Sequence, residues 1–341
     1  MKKDLRSLTE AELKEELKSM GEPAYRASQL FRWLHVELAE DPSDMTNLPK
    51  ALREKLAQEY VISSCGIRDK QCSKLDGTVK YLFEMPDGDL CEAVRMSYHH
   101  GISVCISSQI GCRMGCSFCA STLAGLKRSL TAGEMLSEVY AVTKDGGERV
   151  SNLVIMGMGE PLDNYDNVVR FIRLLSDDKG YDLGIRGITL STCGLVPGIR
   201  ALAEEGLGIT LALSLHAATD EKRQEIMPVA KSYSLAELME ACDFYFDKTG
   251  RRISFEYALI KGSNDGDEDV RALARLAAPR KVHVNLIPVN PVTERGHKRP
   301  ERAAVESFRE RLEKLGVNAT IRRELGSDID GACGQLRQRH L

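Results

Sequence analysis

Six short β-branched runs, SVCISSQ, VSNLVIMGMG, GITLSTCG, GITLALSLHA, RISFEYALI and KVHVNLIPVNP, follow one another from about Gly101, and a helical pattern fills every gap between them. TAGEMLSEVYAVT, NVVRFIRLL, GIRALAEEG, LAELMEACDFYFDK and EDVRALARLA are the fillers. Strands joined through helices must run parallel, because a parallel pair needs a long crossover where an antiparallel pair needs only a tight turn. The rhythm therefore predicts an α/β chain with a parallel β/α architecture, closed or partly closed, and its site at the carboxyl ends of the strands.

Ahead of that rhythm the texture differs. Leu8 to about Tyr60 is charged and helix-rich, with a capping-box pattern from Thr9 to Glu12 and breaks at Gly21-Glu22-Pro23 and Asn47-Leu48-Pro49. AYRASQLFRWLH between the breaks puts Tyr25, Phe31 and Trp33 on one helical segment, where core packing is the expected role. TVKYLFEM, the turn Pro86-Asp87-Gly88-Asp89 and LCEAVRMSY read as a β-hairpin. The expected division is a small N-terminal helical accessory domain at 1–75, a hairpin extension at 76–100, the β/α core at 101–320 and a C-terminal segment at 321–341. No stretch approaches the roughly 18 apolar residues of a membrane helix, and the basic start MKKDLR leads into no apolar signal region. A cytoplasmic protein without membrane contact is expected.

Ten cysteines in such a chain point to metal binding or catalysis rather than to a disulfide framework. Cys112, Cys116 and Cys119 form a C-x3-C-x2-C run in the loop after the first strand, leading through Gly125 into a helix. Structural zinc wants four ligands, commonly as two close pairs, and no second close pair exists. Three thiolates suit a [4Fe-4S] cluster whose fourth iron has no protein ligand and is open to a substrate. Phe118, between two of the ligands, is read as shielding.

The later strand ends carry polar groups in register. Gly157-Met158-Gly159-Glu160-Pro161 offers backbone that can be approached closely and a carboxylate that can accept from a cationic amine. Ser191, the Ser214-Leu215-His216 turn and Asn290 add hydroxyls, an imidazole and an amide at successive ends. Together they form a candidate ligand site.

The cysteine spacing resembles the signature of the radical S-adenosylmethionine (SAM) superfamily, and the GxGEP turn resembles its SAM amino-group site. VCISSQIGCRMGCSFCASTLAGLKR, VIMGMGEPLDN, ALSLHA, TGRRISFEY, VHVNLIPVN and GSDIDGACGQLR together resemble the RlmN/Cfr family of radical-SAM RNA adenine methyltransferases over nearly the whole chain. The N-terminal module with MTNLPKALR resembles that family's accessory RNA-binding region. The resemblance implies a partial (βα)6 TIM-like radical-SAM barrel, a [4Fe-4S] cluster on Cys112, Cys116 and Cys119, and SAM held by Gly159, Glu160, Ser191, Ser214, Leu215, His216 and Asn290. It further implies two SAM molecules per turnover, one methylating a protein cysteine and one split to a 5′-deoxyadenosyl radical. By the same resemblance Cys333 is the methyl carrier, Cys105 the resolving thiol that forms a transient disulfide with it, and Glu92 the proton acceptor. The family's usual alanine pair before the carrier cysteine is Gly331-Ala332 here. Cys65, Cys72, Cys91, Cys193 and Cys242 are read as structural or incidental.

The implied reaction is methylation of adenosine C2 in the peptidyl-transferase region of 23S ribosomal RNA, with transfer RNA as a second candidate substrate, a flavodoxin-like reducing electron donor and a monomeric enzyme. A Cfr-like enzyme acting at C8, another radical-SAM activity such as a glycyl-radical activase, and a plain iron-sulfur electron carrier are the alternatives. A net charge of -3 puts any RNA contact in local patches. The candidates are Lys127-Arg128, Arg295 to Arg302, and Arg322-Arg323 with Arg337 and Arg339.

Overall fold

The structure is a computed structural model that describes residues 2–329 and 331–336. Its N-terminal module contains β1 (Lys3–Asp4), α1 (Glu10–Ser19), α2 (Tyr25–His35), α3 (Lys50–Glu59) and β2 (Tyr60–Val61). Thr9 and Glu12 close the expected capping box on α1. Phe31 is buried and Trp33 half-buried against the core, as expected of packing residues, but Tyr25 is 58% exposed beside the Arg26 guanidinium. Its place in the first turn of α2 aims it at solvent rather than at the core.

The main sheet begins earlier than the hairpin signal suggested. β3 (Gly66–Cys72), β4 (Val79–Glu84) and β5 (Leu90–Tyr98) form an antiparallel meander, and β5 pairs antiparallel with β6 (Gly101–Ile106). A short hairpin of β7 (Gln109–Gly111) and β8 (Leu126–Ser129) then brackets the three-cysteine loop before α4 (Ala132–Gly146) starts. The loop thus returns through a strand, not directly into a helix.

From there the units run β9 (Val150–Ile155), α5 (Tyr165–Leu175), β10 (Ile188–Thr192), α6 (Val196–Glu204), β11 (Thr210–Ser214), α7 (Asp220–Ile226), α8 (Leu235–Thr249), β12 (Ser254–Leu259), α9 (Asp267–Ala277), β13 (His283–Pro288), α10 (Arg302–Lys314) and β14 (Asn318–Ile321). The ten-stranded sheet has the order β14-β13-β12-β11-β10-β9-β6-β5-β4-β3. All six expected parallel strands are present in sequential order, and β14 adds a seventh, paired parallel to β13. The NATI run escapes notice because four residues are too few to show a period.

Helices cover the outer face of the parallel strands with apolar stripes: Val168, Val169, Phe171, Ile172, Leu174 and Leu175 are all buried on α5. The N-terminal module docks on this layer. Arg6, fully buried, donates to the Ala39 carbonyl and lies over the Tyr140 ring, while His35 Nδ1 pairs with the Tyr140 hydroxyl at 2.9 Å. Arg170 on α5 bonds Glu12 on α1 at 2.6 Å. Among the described residues no helix is long and apolar enough to cross a membrane.

Candidate functional site

Gly111 begins the cluster loop with φ +76°, and a Cβ there would stand 1.9 Å from the Gly125 carbonyl, so the hairpin closes only around glycine. Cys112 N–H donates to that carbonyl at 3.0 Å, and Thr122 Oγ1 donates to the Cys119 carbonyl at 2.9 Å. Arg295 in turn donates to Thr122 Oγ1 at 2.7 Å. Cys112, Cys116 and Cys119 all line one cavity with Phe118, whose ring meets His216 edge-on at 4.8 Å.

Burial first, and the neighbouring thiols after it, push Cys112 up to about 12 and Cys116 higher; burial also raises Cys119. Such a trio ionises only against concentrated positive charge, which a metal centre supplies. Among the described residues no three His, Cys, Asp or Glu side chains are spaced for a single ion. Three thiols lining one cavity fit a multi-iron cluster, whose ligands sit on different irons.

The strand-end residues face the same cavity with one exception. A Cβ on Gly157 would lie 2.5 Å from the Ile106 carbonyl, and one on Gly159, where φ is +107°, 2.7 Å from Gln109 Cβ. Glu160 is buried; Cys193 N–H donates to its Oε2 at 2.8 Å and Leu162 N–H to its Oε1 at 3.1 Å. Burial raises its pKa against those donors, leaving a carboxylate that a cationic ligand would stabilise. Ser191 and Ser214 oxygens are 3.2 Å apart across adjacent strands. His216 adopts the left-handed region at φ +56°; its Nδ1 accepts from Ala258 N–H at 2.9 Å, which leaves Nε2 carrying the proton. Leu215 lines no part of the cavity: strand alternation turns it away from Ser214 into the core, where it is fully buried.

Asn290 lies between this cavity and a second one, and its amide donates to the Cys333 carbonyl at 2.9 Å. Ala120 N–H donates to the Gly334 carbonyl at 2.8 Å and Ser121 Oγ to the Leu336 carbonyl at 2.7 Å, so the Cys333 loop rests on the cluster loop. Cys333 lines both cavities, and Cys105 lines the second. Both are free thiols, as are all ten cysteines, so the expected disulfide is not formed in this structure. Burial, then Cys333, pushes Cys105 up to about 12, with Arg322 opposing.

Glu92 lines neither cavity. It is buried on β5, on the same face as Val94, Met96 and Tyr98 of the second cavity, and its carboxylate meets Lys80 Nζ at 3.2 Å. Arg322, read in the sequence only as part of a basic RNA patch, lines both cavities. Its guanidinium lies 3.5 Å from Glu256, and Cys333 foremost, then Glu256 and Cys105, hold its pKa above the ordinary value. Period-two alternation through the missed strand puts Arg322 on the sheet face opposite Ala319 and Ile321, which pack on the core.

The three basic clusters separate. Lys127 pairs with Asp89, and Arg128 with Asp87, Asp89 and Glu134, so that pair is neutralised within the fold. Arg299, Arg322 and Arg323 border the second cavity. Arg337 and Arg339 lie outside the described residues.

The family model for the Radical SAM superfamily matches residues 106–277, and that for the ribosomal RNA large subunit methyltransferase N-terminal domain matches residues 3–62. A "Probable dual-specificity RNA methyltransferase RlmN" of Lachnoclostridium phytofermentans is 57% identical over 98% of this chain and 94% of its own length. One of that name from Clostridium perfringens is 51% identical over 99% and 98%. The crystal structure of a radical SAM methyltransferase from Sphaerobacter thermophilus superposes with a TM-score of 0.94 at 44% identity, covering 98% of this chain and 99% of that one. Membership of the superfamily implies a 4Fe-4S cluster and SAM, on a fold of the radical-SAM α/β class. The chain belongs to the RlmN family of radical-SAM RNA methyltransferases.

Proposed function

We propose that this protein methylates C2 of an adenosine in the peptidyl-transferase region of 23S ribosomal RNA, with transfer RNA as a second substrate. The observation that carries the reading is the seating of Cys333 at the junction of two cavities. One holds the three-cysteine loop and the Gly159-Glu160 turn, and the other holds Cys105.

Cys112, Cys116 and Cys119 would hold a [4Fe-4S] cluster, with Glu160, Ser191, Ser214, His216 and Asn290 around SAM. When bound, cluster and SAM supply the hydrogen-abstracting radical that an aromatic carbon requires, since adenine C2 is too weak a nucleophile to take a methyl cation from SAM. Cys333 carries on its sulfur a methyl group taken from a first SAM, which sets two SAM molecules per turnover. Once that carbon is joined to C2, Glu92 accepts the ring proton through a short shift of its side chain along the strand face or through one water. Cys105 then attacks the Cys333 sulfur as thiolate: the carbon–sulfur bond breaks, the methylene left on C2 takes a proton to become the methyl group, and the odd electron from radical addition would leave by the route that supplied the electron for SAM cleavage. The two sulfurs become a transient disulfide that an outside reductant reopens.

The enzyme is read as a cytoplasmic monomer fed by a flavodoxin-like donor, with residues 1–75 as an RNA-binding accessory, 76–100 as the extension bearing Glu92, 101–320 as the core and 321–341 as the carrier segment. The test is anaerobic reconstitution with 23S RNA fragments and transfer RNA, followed by mass spectrometry of the nucleosides and of the Cys333 peptide. 2-Methyladenosine and a methylated Cys333 are expected. 8-Methyladenosine would move the reaction to the other ring carbon, and an iron-loaded, SAM-cleaving protein that leaves both RNAs unmodified would overturn the reading.

A further inference from the structure

Of the three basic clusters in the sequence, the fold spends one internally and gathers parts of the other two at one place. Arg299, Arg302, Arg322 and Arg323 line a groove between the start of α10 and the end of β14. Two acids share it, and both are engaged: Glu324 makes a bidentate pair with Arg299 at 2.8 Å, and Glu306 lies 3.3 Å from Arg309. Arg322 points inward to Glu256. Arg302 and Arg323 are exposed, and among the described residues neither has a carboxylate partner. They are the net positive charge of the groove.

The groove runs into the cavity that holds Cys105 and Cys333, because Arg299, Arg322, Arg323 and Glu324 line both. Across that cavity stands Tyr98, half-buried and stacked on the exposed His100 with ring centroids 5.0 Å apart and planes within 14°. A cationic groove beside an exposed stacked ring pair suits unpaired nucleotides, with arginines on phosphates and rings on a base face. The first turn of α10 adds free backbone N–H groups and carries no acidic residue, and its N-cap, Glu301, makes no side-chain cap bond and is drawn to Lys261 at 3.0 Å.

We propose that this groove seats the RNA strand flanking the target adenosine, its phosphates on Arg302 and Arg323 and a neighbouring unpaired base on the Tyr98–His100 stack. The inference rests on the RNA reading above and adds to it where the backbone lies. Phosphates held there leave one nucleotide free to turn into the adjoining cavity toward Cys333, so the target is extruded from a single-stranded loop rather than read in a duplex.

The test uses reconstituted full-length protein and a 23S fragment carrying the peptidyl-transferase loop, with binding followed by anisotropy at several salt concentrations. For R302Q/R323Q the slope of log affinity against log salt should shrink by about 1.4, at roughly 0.7 per lost single-strand phosphate contact. For Tyr98→Ala the affinity should drop about 5- to 150-fold with the slope unchanged, as lost stacking predicts. R271Q/R275Q, at two exposed arginines on the outer helix α9, controls for net charge, and iron content confirms that each variant is loaded. If R302Q/R323Q binds with the slope of R271Q/R275Q while wild type methylates the fragment, the groove is not the RNA path and the enzyme assignment stands. If loaded wild type neither binds nor methylates the fragment, the RNA assignment falls and takes the groove with it.

Discussion

Lys80 Nζ stands 3.2 Å from a carboxylate oxygen of Glu92, on neighbouring strands and with both side chains out of solvent. A buried pair gains little over an apolar pair of the same shape, but removing one member takes the counter-charge from the other in a low-dielectric setting. Lys80→Met should therefore lower unfolding free energy by about 3–5 kcal/mol, and K80M/E92L should recover most of the loss. Urea unfolding of the three proteins checks this; a K80M curve matching wild type would show that the lysine does not hold the carboxylate in place.

The two proposed sulfur roles give opposite phenotypes. Cys333→Ala should abolish RNA methylation while reductive SAM cleavage persists, because no carrier receives the methyl group. Cys105→Ala should instead accumulate a covalent protein–RNA species, visible as a shifted band on a denaturing gel and removed by ribonuclease. A Cys105→Ala enzyme that turns over normally would end the resolving role.

Gly159→Ala forces a side chain into a backbone at φ +107° and against Gln109. Strain of this kind costs about 1–3 kcal/mol, so SAM affinity should fall roughly 5- to 150-fold in titration calorimetry. The circular dichroism spectrum should be unchanged, since the turn sits at a strand end. Wild-type affinity in the variant would mean that the turn does not contact SAM.

Burial, with Arg6 close by, pushes the His35 imidazole down to about 3. The folded chain therefore leaves it neutral from pH 6.5 to about 3, while the unfolded chain protonates it near 6.5. The unfolded state binds the extra proton, so this stability is fully present above pH 6.5 and is lost as pH falls toward 3, at about 1.4 kcal/mol per pH unit. His35→Gln, which keeps a partner for Tyr140, should show a shallower decline than wild type in urea midpoints at pH 7, 6 and 5. Parallel declines would put the imidazole in water.

The parallel core was legible because six strands carry β-branched runs long enough to show themselves and five helices separate them. What escaped was short or charged. β14 has four residues, and with it went the inward turn of Arg322, which had been grouped with its exposed neighbour Arg323 as surface charge. β3 reads GIRDKQC and is mostly exposed, so its pairing comes from β4 rather than from any apolar period of its own. Leu215 shows the limit of reading a turn as a unit: Ser214 and His216 face the cavity, and the residue between them must face away. Lys127 and Arg128 looked free because two of the acids that neutralise them, Asp87 and Asp89, are about forty residues earlier, and the third, Glu134, reaches Arg128 only because the β8–α4 turn brings it back. Cys105 and Cys333 are 228 positions apart in the numbering, and only the barrel brings them to one cavity.

Ser121 and Leu336 are separated by 215 residues, yet a hydrogen bond joins the three-cysteine loop to the C-terminal segment. During synthesis that loop emerges long before that segment. The three-cysteine cavity is therefore completed only by the last part of the fold to be made, and a polypeptide cut before Cys333 would leave that side of the cavity unwalled.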